Sequence, residues 1–481
     1  MQTSWPSCCA SAWSATAALP LCRCAFLYLS WLSPPLSPHF PFARSQVVTD
    51  TCNVMKAAWK ILEKEYPWLT ATCCGTHVLS LELKDLGKLP PVAAIIAKVS
   101  TVLSLFWGRT RWPRKKLRET IKANHGREFG LYRAKVTRFA GKFREMSRLL
   151  RVKADLQQVV VSAEYGSHKF TSRGRTADDE DGEALDVDIG ERVKAIVLDE
   201  DGFWTPLMHI LHIAMPIIML LRMLDSNKPV IGKVYHRMFL LGERLKKMEV
   251  TVPWAAAMVK VHAARWKYLH SPFHAAAYAL DPEFLETSGE LDSATMDGLM
   301  LVFERMCLRD AIMASADPDS AWRSLTTTSP EVVTRIAQVE MEFAIYQRHD
   351  GAFSRPSVVA NAKTMEPAMW WGMYGRHLPL LSSIAPQVLA QPAAASAAER
   401  NWSVYGQIKG LNKTAMAHKT ADKLVYCHET MHTQLRMQNA GWSADVEPWE
   451  GLTDDESDDS GNEQAEDELV LTEDQIQRLT V

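Results

Sequence analysis

Residues 46–88 read QVVTDTCNVMKAAWKILEKEYPWLTATCCGTHVLSLELKDLGK. Gln46 to Thr49 have the apolar, β-branched character of a short buried strand that ends at Asp50. From Cys52 to Glu65 the apolar positions Val54, Ala57, Ala58, Ile61 and Leu62 return at helical spacing, so a helix is predicted, stopped by Pro67. Leu69 to Cys73 read as a second strand. From about Val78 to Val102 helical spacing resumes, broken by Pro90 and Pro91. Strand, helix, strand, helix in this order points to an α/β layer.

Downstream of that layer the charge becomes uneven. The chain has 481 residues and a formal net charge of −2, which excludes a uniformly basic nucleic-acid binder. Yet Arg109 to Lys153 carry 16 Lys and Arg against 3 Glu, whereas Asp445 to Glu468 carry 12 acids and no base. In the basic belt, Arg109, Arg111, Arg114, Lys115, Lys116, Arg118 and Lys122 alternate with Phe106, Trp107 and Trp112. Cations that track phosphates beside rings that stack on bases are what backbone-directed DNA binding requires. The competing reading is a solvated helical face opposite the acidic segment 178–188.

Residues 172–191 read as an acidic loop, residues 193–360 as a run of helices, and the chain beyond Trp449 as a solvated, disordered acidic tail. Residues 1–45 contain no Asp, Glu or Lys, and the first positive charge is Arg23, so they lack the pattern of a signal peptide and are expected to be an unstructured leader. The uncharged run Trp204–Leu221 contains Pro206, Pro216, His209 and His212 and is flanked by charges. It is expected to be a buried helix, with no membrane partner. Four of the nine cysteines fall within residues 1–45, and the other five, Cys52, Cys73, Cys74, Cys307 and Cys427, are scattered without a framework spacing, which suggests free thiols in the cytosol or nucleus.

Two short motifs suggest metal. His428-Glu429-Thr430-Met431-His432 matches the zinc-protease pattern, but no third histidine follows, so two histidines on a helix surface is the simpler reading. Cys73, Cys74 and His77 have no matching second pair nearby, and packing at a strand end accounts for them.

The C-terminal block carries a resemblance. Glu399 to Ser403 (ERNWS) and Lys419 to Leu435 (KTADKLVYCHETMHTQL) resemble the C-terminal dimerisation region of hAT-superfamily transposases, especially plant-type domesticated ones. The preceding Trp370 to Arg400, with its Trp-rich start and its small-residue run before Glu-Arg, is similar too. Leu221 to Met238 and Arg265 to Phe284 look like the family's helical insertion. Val47 to Leu86 looks like the segment with its second catalytic aspartate and its Cys-x-x-His signature, here Cys74 to His77. The likeness covers roughly residues 46–440.

The resemblance implies a ribonuclease-H-like core interrupted by a large α-helical insertion domain. The expected divisions are a leader to residue 45, a partial core over 46–140, the insertion over 141–360, a core helix and dimerisation region over 361–440, and the tail. In that family three carboxylates hold two divalent metals, Mg²⁺ or Mn²⁺, for DNA cleavage. Asp50 corresponds to the second carboxylate and Glu399 to the third. The first, usually in an Asp-Gly-Trp strand, has no counterpart here, nor has the family's zinc-binding BED finger. Where the family places Thr-Arg-Trp, this chain reads Thr137, Arg138, Phe139, and Phe139 stacks with a smaller face.

Two carboxylates against the four positive charges of a metal pair bind it weakly. The expectation is therefore a nuclear, self-dimerising DNA-binding protein without cleavage activity, requiring no metal and no small-molecule substrate. The alternatives are an active nuclease completed by an unseen carboxylate, or a helical scaffold. Dimerisation is expected to use Trp402, Leu424, Val425, Cys427, Met431 and Leu435, with Trp370 and Trp371 adding contact area.

Overall fold

The computed structural model describes residues 45–107, 111–127, 129–133, 140–172, 187–225, 230–252, 254–396, 404–408, 417, 420–421, 423–428 and 430–431. Strand β1 (Gln46–Thr49), helix α1 (Asn53–Glu65), strand β2 (Thr70–Cys73) and helix α2 (Gly75–Lys88) follow in the predicted order. β1 and β2 pair in parallel, Gln46 opposite Thr70 and Thr49 opposite Cys73, and all but Ala71 of their residues are buried. The proline pair does not merely interrupt a helix. Pro90 and Pro91 open helix α3 (Pro90–Phe106), where a missing N–H and a fixed φ cost nothing.

The sheet is smaller than the expected core. Among the described residues the only other strand pairing is a two-residue antiparallel pair, Thr171–Ser172 with Val187–Asp188, which brackets the acidic segment 173–186. Side chains occupy β2's outer edge: Ala71 N donates to Glu63 Oε1 at 2.9 Å, and Arg305 Nη1 donates to the Leu69 carbonyl at 3.1 Å. Two backbone polar groups along that edge are thus bonded to side chains and not to a further strand. The class is therefore helices with a small parallel α/β element, and this pair alone does not constitute a ribonuclease-H-like core.

The described chain falls into two compact units, each built from separated segments. One comprises the described parts of residues 1–78, 223–238 and 266–446; the other comprises those of 79–222, 239–265 and 447–481. The first unit is centred on aromatic rings. Tyr346, Phe353, Trp370 and Trp371 are fully buried, with Trp371 4.8 Å from Tyr346 and Phe353 stacked 5.5 Å from Trp370. Both indoles also donate, Trp370 to the Val358 carbonyl and Trp371 to the Leu280 carbonyl, each at 3.0 Å. Buried Glu342 accepts from Leu381 N at 2.7 Å, placing a carboxylate on the first turn of the helix Pro379–Leu389.

In the second unit, α3 packs against helix α4 (Arg111–His125) and helix α5 (Ala140–Arg151), and α4 against helix α6 (Lys153–Val160). Pro113, Leu117, Thr120 and Ile121 form the buried face of α4, at the spacing of an amphipathic helix. Asp155, buried on α6, accepts from Asn124 Nδ2 at 2.7 Å and lies 3.0 Å from His125 Nε2, which fixes the end of α4. Residues 205–225 form the predicted apolar helix, reached through a wide turn at Glu200–Trp204. The span Glu200–Asp225, with a mean hydropathy of 1.9, is long and apolar enough to cross a membrane, but Leu207, Ile210, Ala214, Ile217 and Leu221 are all buried inside the protein, as in a core helix.

A candidate nucleic-acid interface and a self-association surface

The outer face of α4 presents Arg111, Lys115, Arg118 and Lys122 at i, i+4, i+7 and i+11, one stripe along the helix. Lys115 is 77% exposed in its side chain and is 3.7 Å from Glu119. Lys116 is engaged differently: its ammonium contacts the Glu164 carboxylate at 2.6 Å, and that contact raises its pKa above the ordinary lysine value. Arg114 lays its guanidinium over the Trp107 ring at 4.2 Å. Trp112 stacks on His168 at 4.2 Å and is only half exposed, so its ring packs within the unit. Of the belt, Arg109, Arg138 and Phe139 lie outside the described residues.

Behind the stripe is a cavity of about 220 Å³, lined by Trp107, Arg114, Arg118, Gly130, Tyr132 and Arg148 among others. Sequence reading did not find it, because Arg148 and Tyr132 belong to the belt's later part and only the fold brings them to Arg118. The signal available was the density of Arg between residues 127 and 151.

The carboxylate pair is only half visible. Asp50 is half-buried at the end of β1 and its Oδ1 accepts from Cys52 N at 3.2 Å. It thus closes a turn before α1 and does not cap the helix, whose N-cap is Cys52 with no side-chain bond. Glu399 lies outside the described residues. The chain leading to it is nevertheless tied to the same place. Cys74 N donates to the Thr49 carbonyl at 2.8 Å, Gly75 N to the Ala393 carbonyl at 2.9 Å, and Ala395 N to Cys74 Sγ at 3.2 Å. Residue 395 is therefore held beside the turn that holds residue 49.

Gly75 allows this approach, since a Cβ there would lie 2.9 Å from the Ala393 carbonyl oxygen and 2.7 Å from a Leu224 methyl. Gly75→Ala is expected to cost about 1–3 kcal/mol in urea unfolding, because backbone must move to admit the methyl; a stability equal to the parent's would contradict the contact.

Among the described residues no three His, Cys, Asp or Glu side chains form a group that could hold a metal ion. Asp50 alone does not fit a two-metal centre. Cys73 donates its thiol to the Tyr268 carbonyl at 3.3 Å, and burial pushes its pKa up to about 11, so it is a packed, protonated thiol. His428 is half-buried; Glu429 and His432 lie outside the described residues.

At the C-terminal end, residues 423–428 and 430–431 are helical. Ala421 and Val425 are buried, one turn apart, so Val425 packs within the protein and not on an outward stripe. Leu424 is 42% exposed and Met431 61%, and Cys427 between them is also exposed, an apolar row at i, i+3 and i+7. Trp370 and Trp371, expected to add contact area, belong instead to the aromatic core. Their neighbours Met369 and Met373, one turn apart on the helix Pro367–Tyr374, are 62% and 58% exposed, and the sequence reading passed over them. Trp402 and Leu435 lie outside the described residues. Leu424→Asp with Met431→Asp is expected to leave the melting temperature within a few degrees of the parent while abolishing self-association, since both side chains are largely exposed. Unfolding of the double variant would show that they belong to the protein's own core.

Residues 347–431 match the hAT family C-terminal dimerisation region. The matched span starts at the end of the helix Pro330–Gln347, includes Trp370 and Trp371, and ends on Met431. The match supports a hAT-transposase-like, self-associating protein. No curated protein matches the chain.

Proposed function

We propose, from the premise that residues 347–431 are a hAT C-terminal dimerisation region, that this is a transposase-derived nuclear DNA-binding protein that acts as a dimer and does not cleave strands. The observation that carries DNA binding is the stripe Arg111, Lys115, Arg118 and Lys122 on one face of a helix whose other face is buried. A rigid row of cations spaced a helical turn apart can meet successive phosphates without ordering flexible side chains on a loop. Such contacts position the backbone and read no bases, so the proposed binding is sequence-tolerant. The dimer presents two such rows and raises avidity for long DNA over that of one row.

The absence of cleavage is proposed on charge. Asp50 and Glu399 together offer two negative charges to a metal pair carrying four, and Asp50 already accepts a backbone hydrogen bond in its turn. No divalent metal is required for binding in this reading, and no small-molecule substrate is expected. The test is a gel-shift titration of duplex DNA across salt concentration, with and without Mg²⁺ or Mn²⁺. The expected result is a steep fall of affinity with salt, about 0.9 in log–log slope per phosphate contacted, and intact DNA in every lane. A slope near zero would remove the DNA reading, and cleaved product would remove the non-catalytic one.

A further inference from the structure

The helix Pro367–Tyr374 reads PAMWWGMY and contains no charged residue. A helix that is apolar on every side belongs in an interior. Its inner face meets that demand, with Pro367, Trp370 and Trp371 buried in the first unit's core. Its outer face does not: Met369 is 62% and Met373 58% exposed, and Gly372 is exposed with them. Glycine within a helix is destabilising relative to alanine. A Cβ at Gly372 would meet nothing within 4 Å, so no contact inside the chain calls for glycine there. Open space beside two flexible thioethers is a seat for an incoming apolar side chain.

Opposite charges stand at the two ends of this face. Glu366, at the N-cap, and Arg376, just past the C-cap Gly375, are both exposed. Glu366 makes no cap bond and no ion pair among the described residues, and nearby Lys363 is paired with Glu286 at 2.9 Å. Arg376 Nε donates to the Gly372 carbonyl at 2.9 Å, which holds the guanidinium against the last turn. Glu366, Met369, Met373 and Arg376 fall at i, i+3, i+7 and i+10, a spacing that reads the same from either end.

We propose that this face is a contact between two copies of the chain, with the two helices antiparallel about a two-fold axis. This rests on the reading of residues 347–431 as a self-association region, and it locates part of the contact within them. A two-fold contact must be self-complementary, since residue i meets j and j meets i. In the antiparallel register Met369 packs on the partner's Met373 and Glu366 faces the partner's Arg376, each twice. A parallel pairing sets Glu366 against its own copy and Arg376 against its own copy, which repels at both ends. One eight-residue helix falls short of the about 800 Å² per partner that a stable interface buries. The Leu424–Met431 row is therefore a further part of the same contact.

Sedimentation equilibrium of the full chain, with the two charge reversals separately and then mixed, tests this. Glu366→Arg and Arg376→Glu are each expected to raise the dimer Kd about tenfold, because each makes both end pairs repulsive. An equimolar mixture of the two variants should associate as tightly as the parent, since every pair across the mixed dimer is again opposite in sign. A pairing within one chain gives no such rescue by mixing. Met373→Lys should raise the Kd on the order of 100-fold while keeping the parent's circular dichroism. It decides the matter if a charge reversal at the helix ends unfolds the chain.

A mixture no tighter than its components would overturn the antiparallel contact. Parent-like association of Met373→Lys, or of both single reversals, would remove this face from the interface, leave the self-association reading standing, and give the face to a different partner. A parent chain that stays at one chain's mass would end the self-association reading and this inference with it.

Discussion

Replacing Trp371 by Ala is expected to destabilise the protein by about 3–5 kcal/mol, enough to unfold much of a marginally stable unit at physiological temperature. The side chain is fully buried, lies 4.8 Å from Tyr346 and 5.4 Å from Trp370, and donates to the Leu280 carbonyl. Truncation leaves a cavity among aromatic rings and an unpaired buried carbonyl, and those two costs add. Trp371→Phe, which keeps most of the ring area but loses the donor, should cost clearly less. Urea unfolding checks both. An Ala variant as stable as the parent would show that Trp371 is not the core residue described here, and would return it to the list of contact residues.

The second large effect concerns the basic row. Arg111→Glu, Lys115→Glu and Lys122→Glu together are expected to lower duplex affinity on the order of 100-fold at moderate salt, and to flatten the log–log salt slope by roughly three contacts' worth at about 0.9 each. The loss should be nearly equal for unrelated sequences, since these side chains are assigned to phosphates. Lys116 is left out because reversing it would set a glutamate against Glu164 and confuse binding with stability. A loss confined to one DNA sequence would mean that the row reads bases.

The residues that were readable from sequence alone are those whose local pattern decides their state. Val47 and Val48 in a short apolar run, and Val54, Ile61 and Leu62 at helical spacing, gave β1 and α1 without knowledge of any neighbour. The face of α4 was readable for the same reason, since Leu117 and Ile121 fall on the side opposite Lys115 and Lys122. What escaped reading depends on partners distant in the chain. Glu63 and Arg305 bond to backbone along β2's edge from 8 and 236 residues away, partners that strand-like segments alone do not reveal. Lys116 looked like its neighbours in the belt until Glu164 was brought to it. The cavity is of the same kind, because it joins Trp107 and Arg114 to Arg148, far along the chain.

The C-terminal helix shows the limit most directly. Leu424, Val425 and Met431 are all apolar at roughly helical spacing, and spacing alone does not say whether a side chain is covered by its own chain or by another. The fold divides them: Val425 is 5% exposed, while Leu424 and Met431 remain open. Trp370 and Trp371 were misassigned by the same ambiguity in the opposite sense. Large aromatic residues are enriched both in cores and at interfaces, so residue type could not decide between the two.

Sedimentation equilibrium of the intact chain over a range of concentrations tests self-association through the 347–431 region most directly. The account predicts a mass that approaches twice the 54.1 kDa of one chain as concentration rises into the micromolar range, and a return to one chain's mass for the folded Leu424→Asp, Met431→Asp variant. A folded parent protein that remains at one chain's mass at tens of micromolar would contradict it.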